Sequence, residues 1–292
     1  MKSKLLPYHI LAVVTVLIWG VTFVNSKVLL LAGLRPSEIF VLRFLLAYVC
    51  IWFISPRKLF ADTWKDELWM VVLGITGGSL YFVSENVAVG ITYTTNVSFI
   101  VSTNPLLLVL LSIVLGQEVK ATPRLLLGSL MAVLGVAVVI LNGRFVLKLN
   151  PLGDLLALVA AFTWAVYGVA IRKVQHRYSS VFITRKLFFY GLVTMFPVFI
   201  AAPWSFPLSG LLEPKVLGNL LFLGLIASFA CYCTWTVVLK KVGIVKASNY
   251  LYLNPVSTVV ASSIVLHEPF TWLAAVGAAL ILAGIYLANS RI

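Results

Sequence analysis

Apolar runs of about twenty residues, the length at which one α-helix crosses the hydrocarbon core of a bilayer, follow one another along almost the whole chain. Of its 292 residues, 61% are hydrophobic and 11% are charged. Soluble domains have about 45–50% and about 25%, so the composition excludes a soluble globular domain and a disordered chain. Ten transmembrane spans are predicted, at about 9–30, 36–55, 68–89, 94–115, 123–142, 152–172, 180–201, 216–239, 244–265 and 270–289.

The basic residues predict how these spans are oriented. The chain has 22 Lys and Arg against 9 Asp and Glu, a net charge of +13. With a cytoplasmic N-terminus, most of the loop cations face the cytoplasm, as the positive-inside rule requires, and both termini are cytoplasmic. Membrane insertion thus explains the positive charge, and no nucleic-acid partner is expected. Since the first span begins within about ten residues of Met1, leaving no room for a transit peptide, the predicted location is a bacterial inner (plasma) membrane.

The two halves of the chain carry similar signals in the same order. The matching pairs, at shifts of 142 to 150 residues, are Trp19 and Trp164, Arg43 and Arg185, Asn104-Pro105 and Asn254-Pro255, Ser112 and Ser262, and Glu118 and Glu268. Each half holds five spans, so the second half, 146–292, must enter the membrane from the side opposite to the first, 1–145. The predicted architecture is an all-α membrane protein of two inverted five-helix repeats, as in many secondary transporters.

These residues also carry a resemblance to a known family. The chain resembles EamA-type members of the drug/metabolite transporter superfamily over its full length. The motifs concerned are Ile18-Trp19-Gly20, Arg43-Phe44, Asn104-Pro105 with Glu118, and Asn254-Pro255 with Glu268. The resemblance implies ten helices, with helices one to four and six to nine around a central cavity and helices five and ten at the periphery or a dimer contact. It also implies metabolite transport, often the export of amino acids.

Pro105 and Pro255 lie within the predicted fourth and ninth spans. Each proline removes a backbone donor and frees the carbonyl one turn earlier, so both helices should kink there. One interpretation is a pair of cavity-lining hinges beside Asn104 and Asn254. The alternative is a pair of structural kinks whose free carbonyls are satisfied by neighbouring side chains.

Ionisable residues inside apolar runs are the strongest indication of a site, because each costs about 2.5–3.5 kcal/mol at the bilayer centre. Lys27, Arg43 and Glu85 are predicted at one outer depth, where they could meet between the first three spans. Their counterparts in the second half are Arg172, Arg185 and Trp235. The inner layer is therefore expected to hold cations but no carboxylate. Glu85 is predicted either to bind a substrate ammonium group or a proton, or to form a structural ion pair.

Other candidates have equally open alternatives. Lys27 can line the cavity or extend to the lipid headgroups, and Arg185 can form part of a gate or contact the inner headgroups. Aromatic and amide side chains within spans are candidate cavity residues, because their polar edges need partners. These residues are Trp19, Trp164, Tyr81, Tyr232, Trp235, Tyr252, Asn25, Asn104 and Asn254.

The function predicted from these features is a secondary carrier that exports an amino acid or related small metabolite by alternating access, with proton coupling through Glu85 as one option. A flippase for a lipid-linked substrate is the alternative. An enzyme is not expected, since the three histidines, at 9, 176 and 267, are scattered. No cofactor or metal is expected. The expected partners are a small-molecule substrate and membrane lipid, and a homodimer through small-residue helix faces is left open.

Overall fold

The regular structure of the chain is helical throughout the residues that the computed structural model describes, which are 5–55, 58–92, 94–116, 122–141, 150–265 and 272–289. Glu118 and Glu268, two residues of the family resemblance, lie outside these ranges. The α-helices are α1 Leu6–Leu31, α2 Pro36–Ile51, α3 Trp64–Gly74, α4 Leu80–Ile91, α5 Thr94–Val101, α6 Asn104–Val114, α7 Pro123–Leu141, α8 Pro151–Ile171, α9 Ser180–Ala201, α10 Pro214–Leu221, α11 Cys231–Val242, α12 Ile244–Ser248, α13 Asn254–Val265 and α14 Trp272–Asn289.

Six helices within the described ranges are long and apolar enough to cross a membrane. They are Leu6–Leu31, Trp64–Ile91, Val97–Val114, Pro151–Ile171, Ser180–Ala201 and Pro214–Val242. Two further apolar helices, Pro123–Val138 and Ala275–Ala288, are shorter. The predicted all-α membrane fold is confirmed, whereas the total of ten spans stays a prediction.

Helix starts follow the local sequence. Proline occupies the first turn of α2, α8 and α10, where its missing N–H costs no hydrogen bond. Side-chain caps mark two other helix starts. Thr63 Oγ1 accepts from the Asp66 amide (3.1 Å), and Ser179 Oγ accepts from the Phe182 amide (3.2 Å). These caps fix where α3 and α9 begin, and both starts lie at the same end of the bundle, where the two helices pack together.

Two of the long helices contain a π-helical segment. Ile75–Ser79 separates α3 from α4, and Phe222–Ala230 separates α10 from α11. A π-helical turn leaves carbonyls without their usual α-helical partners. Side chains from distant helices meet two of these carbonyls. The Tyr232 hydroxyl donates to Gly77 O (2.7 Å), and Trp19 Nε1 donates to Ala227 O (2.9 Å).

Helical geometry changes immediately before both of the paired prolines. A turn at residues 102–103 separates α5 from α6, and the 3₁₀ segment Asn249–Leu253 precedes α13. The new α-helices begin at Asn104 and Asn254, so Pro105 and Pro255 lie in first turns. The breaks lie where the sequence places the kinks, and the role of the prolines as hinges stays a prediction.

The helices α7 and α14 pack backbone to backbone through glycine. A Cβ added at Gly128 would lie 2.6 Å from Gly284 O, and one at Gly135 would lie 2.7 Å from Gly277 O. Small residues permit this approach in membranes. The small-residue face of α7 is therefore covered within one chain by α14, so it is not a free surface for the homodimer considered above.

Candidate functional site

A cavity lies among the helices, and eight of the predicted site residues line it. These eight are Trp19, Arg43, Tyr81, Glu85, Asn104, Trp164, Tyr232 and Asn254. The remaining lining residues are Thr22, Phe23, Phe82, Val101 and Leu251. The lining residues come from both halves of the chain.

Arg43 is buried in the wall of this cavity, with 1% of its surface exposed. Its Nε donates to Ser228 Oγ (2.9 Å), and its guanidinium carbon lies 4.2 Å from the centre of the Phe82 ring. Ser228 belongs to the second π-helical segment. The Nη1 atom of Arg43 is buried and has no hydrogen-bond partner among the described residues. A guanidinium that is held by one N–H group and has another N–H group unused can bind an anionic group by donating to it.

Glu85 faces the same cavity and is 2% exposed. The Tyr81 hydroxyl, one helical turn earlier, lies near its carboxyl group, and the positive charge of Arg43 attracts the carboxylate. Its Oε1 atom is buried without a hydrogen-bond partner in the described part of the chain. The salt bridges observed between described residues lie elsewhere, so Arg43 and Glu85 share the cavity without contacting each other as an ion pair.

The amides that open α6 and α13 add two acceptors. Asn104 Nδ2 donates to Ala161 O (2.9 Å), which leaves its Oδ1 without a partner. Asn254 Oδ1 likewise has none among the residues described. Buried polar atoms are nearly always hydrogen-bonded, so four unused atoms around one cavity indicate that a ligand or water completes them. The set is one donor group, on Arg43, and three acceptor oxygens.

Aromatic rings form much of the remaining wall. The ring of Trp19 lies 5.4 Å from that of Trp164 and 5.6 Å from that of Tyr232, both in edge-on geometry. Tyr81 also contacts Trp164, at 4.9 Å. Rings at these distances support one another and present apolar faces and π-electron density to an occupant. The site therefore combines opposite charges with a large apolar surface.

Five predicted residues do not line the cavity. Lys27 donates to Val89 O (2.8 Å). Of the three charged residues predicted to meet, only Arg43 and Glu85 therefore line the cavity. Asn25 donates to Asn219 Oδ1 (2.6 Å), which ties α1 to α10. Trp235 packs behind Trp19 at 5.2 Å, and Tyr252 is buried beside Ser129.

Arg185 is the fifth of these residues. It is 2% exposed, its guanidinium lies 4.6 Å from the Trp52 ring, and it donates to Lys58 O. The pairing of Arg185 with Arg43 by sequence therefore does not extend to a shared cavity. Arg185 lies instead near the start of α9, where it packs against a different part of the bundle.

The expectation that the inner layer holds cations but no carboxylate is wrong. Asp66 and Glu67 at the start of α3 are 1% and 5% exposed, and Glu38 at the start of α2 is fully buried. Asp66 binds Arg177, and Glu67 binds Lys186. The layer predicted to hold only cations therefore contains two carboxylates. The sequence places Asp66 and Glu67 just before an apolar run, where charges normally face water.

Comparisons with known proteins agree with a multi-pass membrane protein. The chain belongs to the EamA-like transporter family, whose model matches residues 6–141 and 151–290. It is 28% identical to an uncharacterized transporter of Archaeoglobus fulgidus, over 97% of each chain. It is 25% identical to a probable amino-acid metabolite efflux pump of Escherichia coli, over 95% of this chain and 93% of that one. A crystal structure covering 98% of the chain, at 20% identity and a TM-score of 0.75, shows the same fold.

Proposed function

We propose that this protein is a secondary carrier that exports an amino acid or a closely related zwitterionic metabolite. The observation that carries the proposal is that one cavity presents an unpaired guanidinium nitrogen of Arg43 and an unpaired carboxylate oxygen of Glu85. A zwitterion matches both, with its carboxylate toward Arg43 and its ammonium group toward Glu85. The oxygens of Asn104 and Asn254 supply further acceptors for the ammonium group, and the aromatic wall accommodates an apolar side chain.

The same arrangement gives a reason for alternating access. Moving a bare charge through a bilayer has a high free-energy cost, whereas a zwitterion whose two charges are matched by protein groups can be held in a buried site.

The carrier we propose has ten spans arranged as two inverted five-helix repeats, 1–145 and 146–292. The two stretches matched by the family model, the paired breaks at Asn104 and Asn254, and the paired π-helical segments support this arrangement.

Within this carrier, Pro105 and Pro255 are hinges at which the two halves rock, and Glu85 is a site where a proton can replace the substrate ammonium group. The positive-inside rule places both termini in the cytoplasm of a bacterial cell. The relative named an amino-acid metabolite efflux pump supports export of this class of compound.

The test is transport by purified protein in liposomes, with a panel of amino acids, with and without a pH gradient. We expect flux of one or more panel members that Glu85→Gln greatly reduces or uncouples from pH, and that Pro105→Ala slows. The matched control is Glu213→Gln, the same chemical change at an exposed residue before α10.

Absence of flux for every panel member, from protein that is folded after reconstitution, would overturn the proposal. Flux of a lipid-linked substrate in the same vesicles would then support the flippase alternative. Wild-type flux and pH dependence in Glu85→Gln would remove Glu85 from the transport cycle while leaving the carrier intact.

A further inference from the structure

The first turn of α3 carries two adjacent carboxylates that are both buried, Asp66 and Glu67. Successive residues of an α-helix point about 100° apart, so the two side chains reach different partners. Neither carboxylate is paired within α3 itself. All the cationic and hydroxyl partners observed for them belong to α9 or to the segment that joins α8 to α9.

Asp66 binds the joining segment. Arg177 Nη1 lies 2.7 Å from Asp66 Oδ1 and 2.8 Å from Oδ2, and the Tyr178 hydroxyl donates to Oδ2 (2.9 Å). The same tyrosine oxygen accepts from the Asp62 amide (2.8 Å), and its ring stacks on Phe182 at 5.2 Å. The Arg177 side chain is 60% exposed, so water reaches this pair from outside.

Glu67 binds α9. Its Oε1 accepts from both the Lys186 ammonium group and the Tyr190 hydroxyl, and its Oε2 accepts from the Ala61 amide (2.6 Å). The Lys186 side chain is 4% exposed and the Glu67 side chain 7%. This ion pair is therefore enclosed, whereas the pair of Asp66 and Arg177 is open to water through the arginine.

A contact built from charges differs from an apolar contact in how it opens. Separating an apolar surface exposes it to water at a cost, whereas charges that part into water regain hydration. A buried pair that is fully hydrogen-bonded when closed and hydrated when open can hold two helices together and still release them. Removing one partner alone leaves an unpaired buried charge, which is strongly unfavourable.

The helix that carries these carboxylates continues to the cavity. Trp64–Ile91 includes α3, the π-helical segment Ile75–Ser79 and α4, which bears Tyr81 and Glu85. On the other side, Phe188 of α9 lies 5.6 Å from the ring of Tyr232, another cavity residue. Both helices joined by the ion pairs therefore extend to the site.

We propose that Asp66 and Glu67, together with Arg177, Tyr178, Lys186 and Tyr190, form a releasable latch that closes the bundle at this end. In the structure the latch is closed. It opens in the conformation that presents the cavity to the same side of the membrane. The inference rests on the proposed alternating access, but its test needs no substrate.

The test is a distance measurement by electron–electron double resonance in lipid nanodiscs. The native Cys50, Cys231 and Cys233 are first replaced by serine. Spin labels are then attached through cysteine substitutions at Trp64 and Lys173, two exposed positions on either side of the latch. We expect a single short distance for the unmodified latch and an added population at longer distance in Glu67→Gln. Glu213→Gln, the same chemical change at an exposed residue before α10, is the matched control and should leave the distance unchanged.

A Glu67→Gln protein that is folded and gives the unmodified distance distribution would overturn the latch. If Glu67→Gln does not fold, Tyr190→Phe removes one hydrogen bond from the same carboxylate and should give a smaller longer-distance population. An unchanged distribution there would also overturn the proposal. Because no substrate is added, a negative transport assay would count against the proposed function and leave this result standing.

Discussion

Glu67 and Glu85 lie in the same long helical stretch, Trp64–Ile91, on either side of the Ile75–Ser79 segment, and are buried to nearly the same extent, 5% and 2% exposed. Their surroundings are opposite. Glu67 accepts hydrogen bonds from Lys186, Tyr190 and the Ala61 amide. Glu85 lies near Tyr81 and lines the cavity, and its Oε1 has no hydrogen-bond partner among the described residues. Burial of a charge therefore does not by itself mark a binding site. Unused hydrogen-bonding capacity on atoms that line a cavity is a better indication, because it has a cost that a ligand in the cavity can offset.

The cations of the two regions show the same contrast. Arg43 uses Nε on Ser228 and leaves Nη1 free in the cavity, while Lys186 binds Glu67 among aromatic rings at the start of α9. The hydrogen bonds of the latch are complete without any further molecule, whereas those of the cavity are not. Substitutions in the latch should therefore affect stability and closure, and substitutions in the cavity should affect binding.

The largest effect is expected on stability, from Glu67→Gln. Breaking a buried pair by removing one partner costs about 3–5 kcal/mol, because Lys186 is left without a counter-charge. A large fall in the thermal unfolding midpoint of the purified protein checks this. The exposed pair of Lys58 and Asp62 provides the comparison, since Asp62→Asn should change the midpoint little. Equal midpoints for wild type and Glu67→Gln would contradict the assignment.

The next effect is on binding, from Glu85→Gln. A hydrogen bond to a charged group contributes about 1.5–3 kcal/mol, so we expect substrate affinity to fall by roughly tenfold to 100-fold. The unfolding midpoint should not fall, since the substitution removes an unsatisfied buried charge. An equal loss of stability in Glu85→Gln and Glu67→Gln would contradict the different roles assigned to the two glutamates.

The smallest effect is expected from Ser228→Ala, which removes the acceptor that orients Arg43 through Nε. One hydrogen bond of about 0.5–1.5 kcal/mol corresponds to a rise of roughly twofold to tenfold in the substrate KM. The maximal rate should be affected less, because Arg43 itself remains. Ser228→Thr keeps the hydroxyl and should restore the KM. Equal losses in both variants would indicate a packing role for Ser228.

The fold class and much of the cavity were predictable, for the same physical reason. In a bilayer, twenty-residue apolar runs specify helices, and an ionisable residue within such a run stands out against its surroundings. Arg43 and Glu85 were found this way, and so were the breaks before Pro105 and Pro255. Each signal is local in sequence and needs no knowledge of the partner.

The latch was not predictable from the same reasoning. Asp66 and Glu67 precede an apolar run, where exposed charges are ordinary, and their partners Arg177 and Lys186 lie 111 and 119 residues away. Only the packing of α3 against α9 buries them. Lys27 does not line the cavity for a related reason: the direction of its side chain, toward Val89 O, depends on how α1 and α4 face each other.

The central claim is that Arg43 binds the carboxylate of a zwitterion and Glu85 binds its ammonium group. Calorimetric titration of the purified protein tests this claim most directly. The probes are a panel of amino acids and, for each that binds, the analogue without its amino group and the analogue with its carboxylate replaced by a carboxamide. We predict at least a tenfold loss of wild-type affinity for either analogue, a loss that corresponds to about 1.4 kcal/mol. Glu85→Gln should no longer distinguish the analogue without the amino group, and Arg43→Gln should no longer distinguish the carboxamide. Wild-type discrimination retained in both variants, or no binding of any amino acid, would contradict the account.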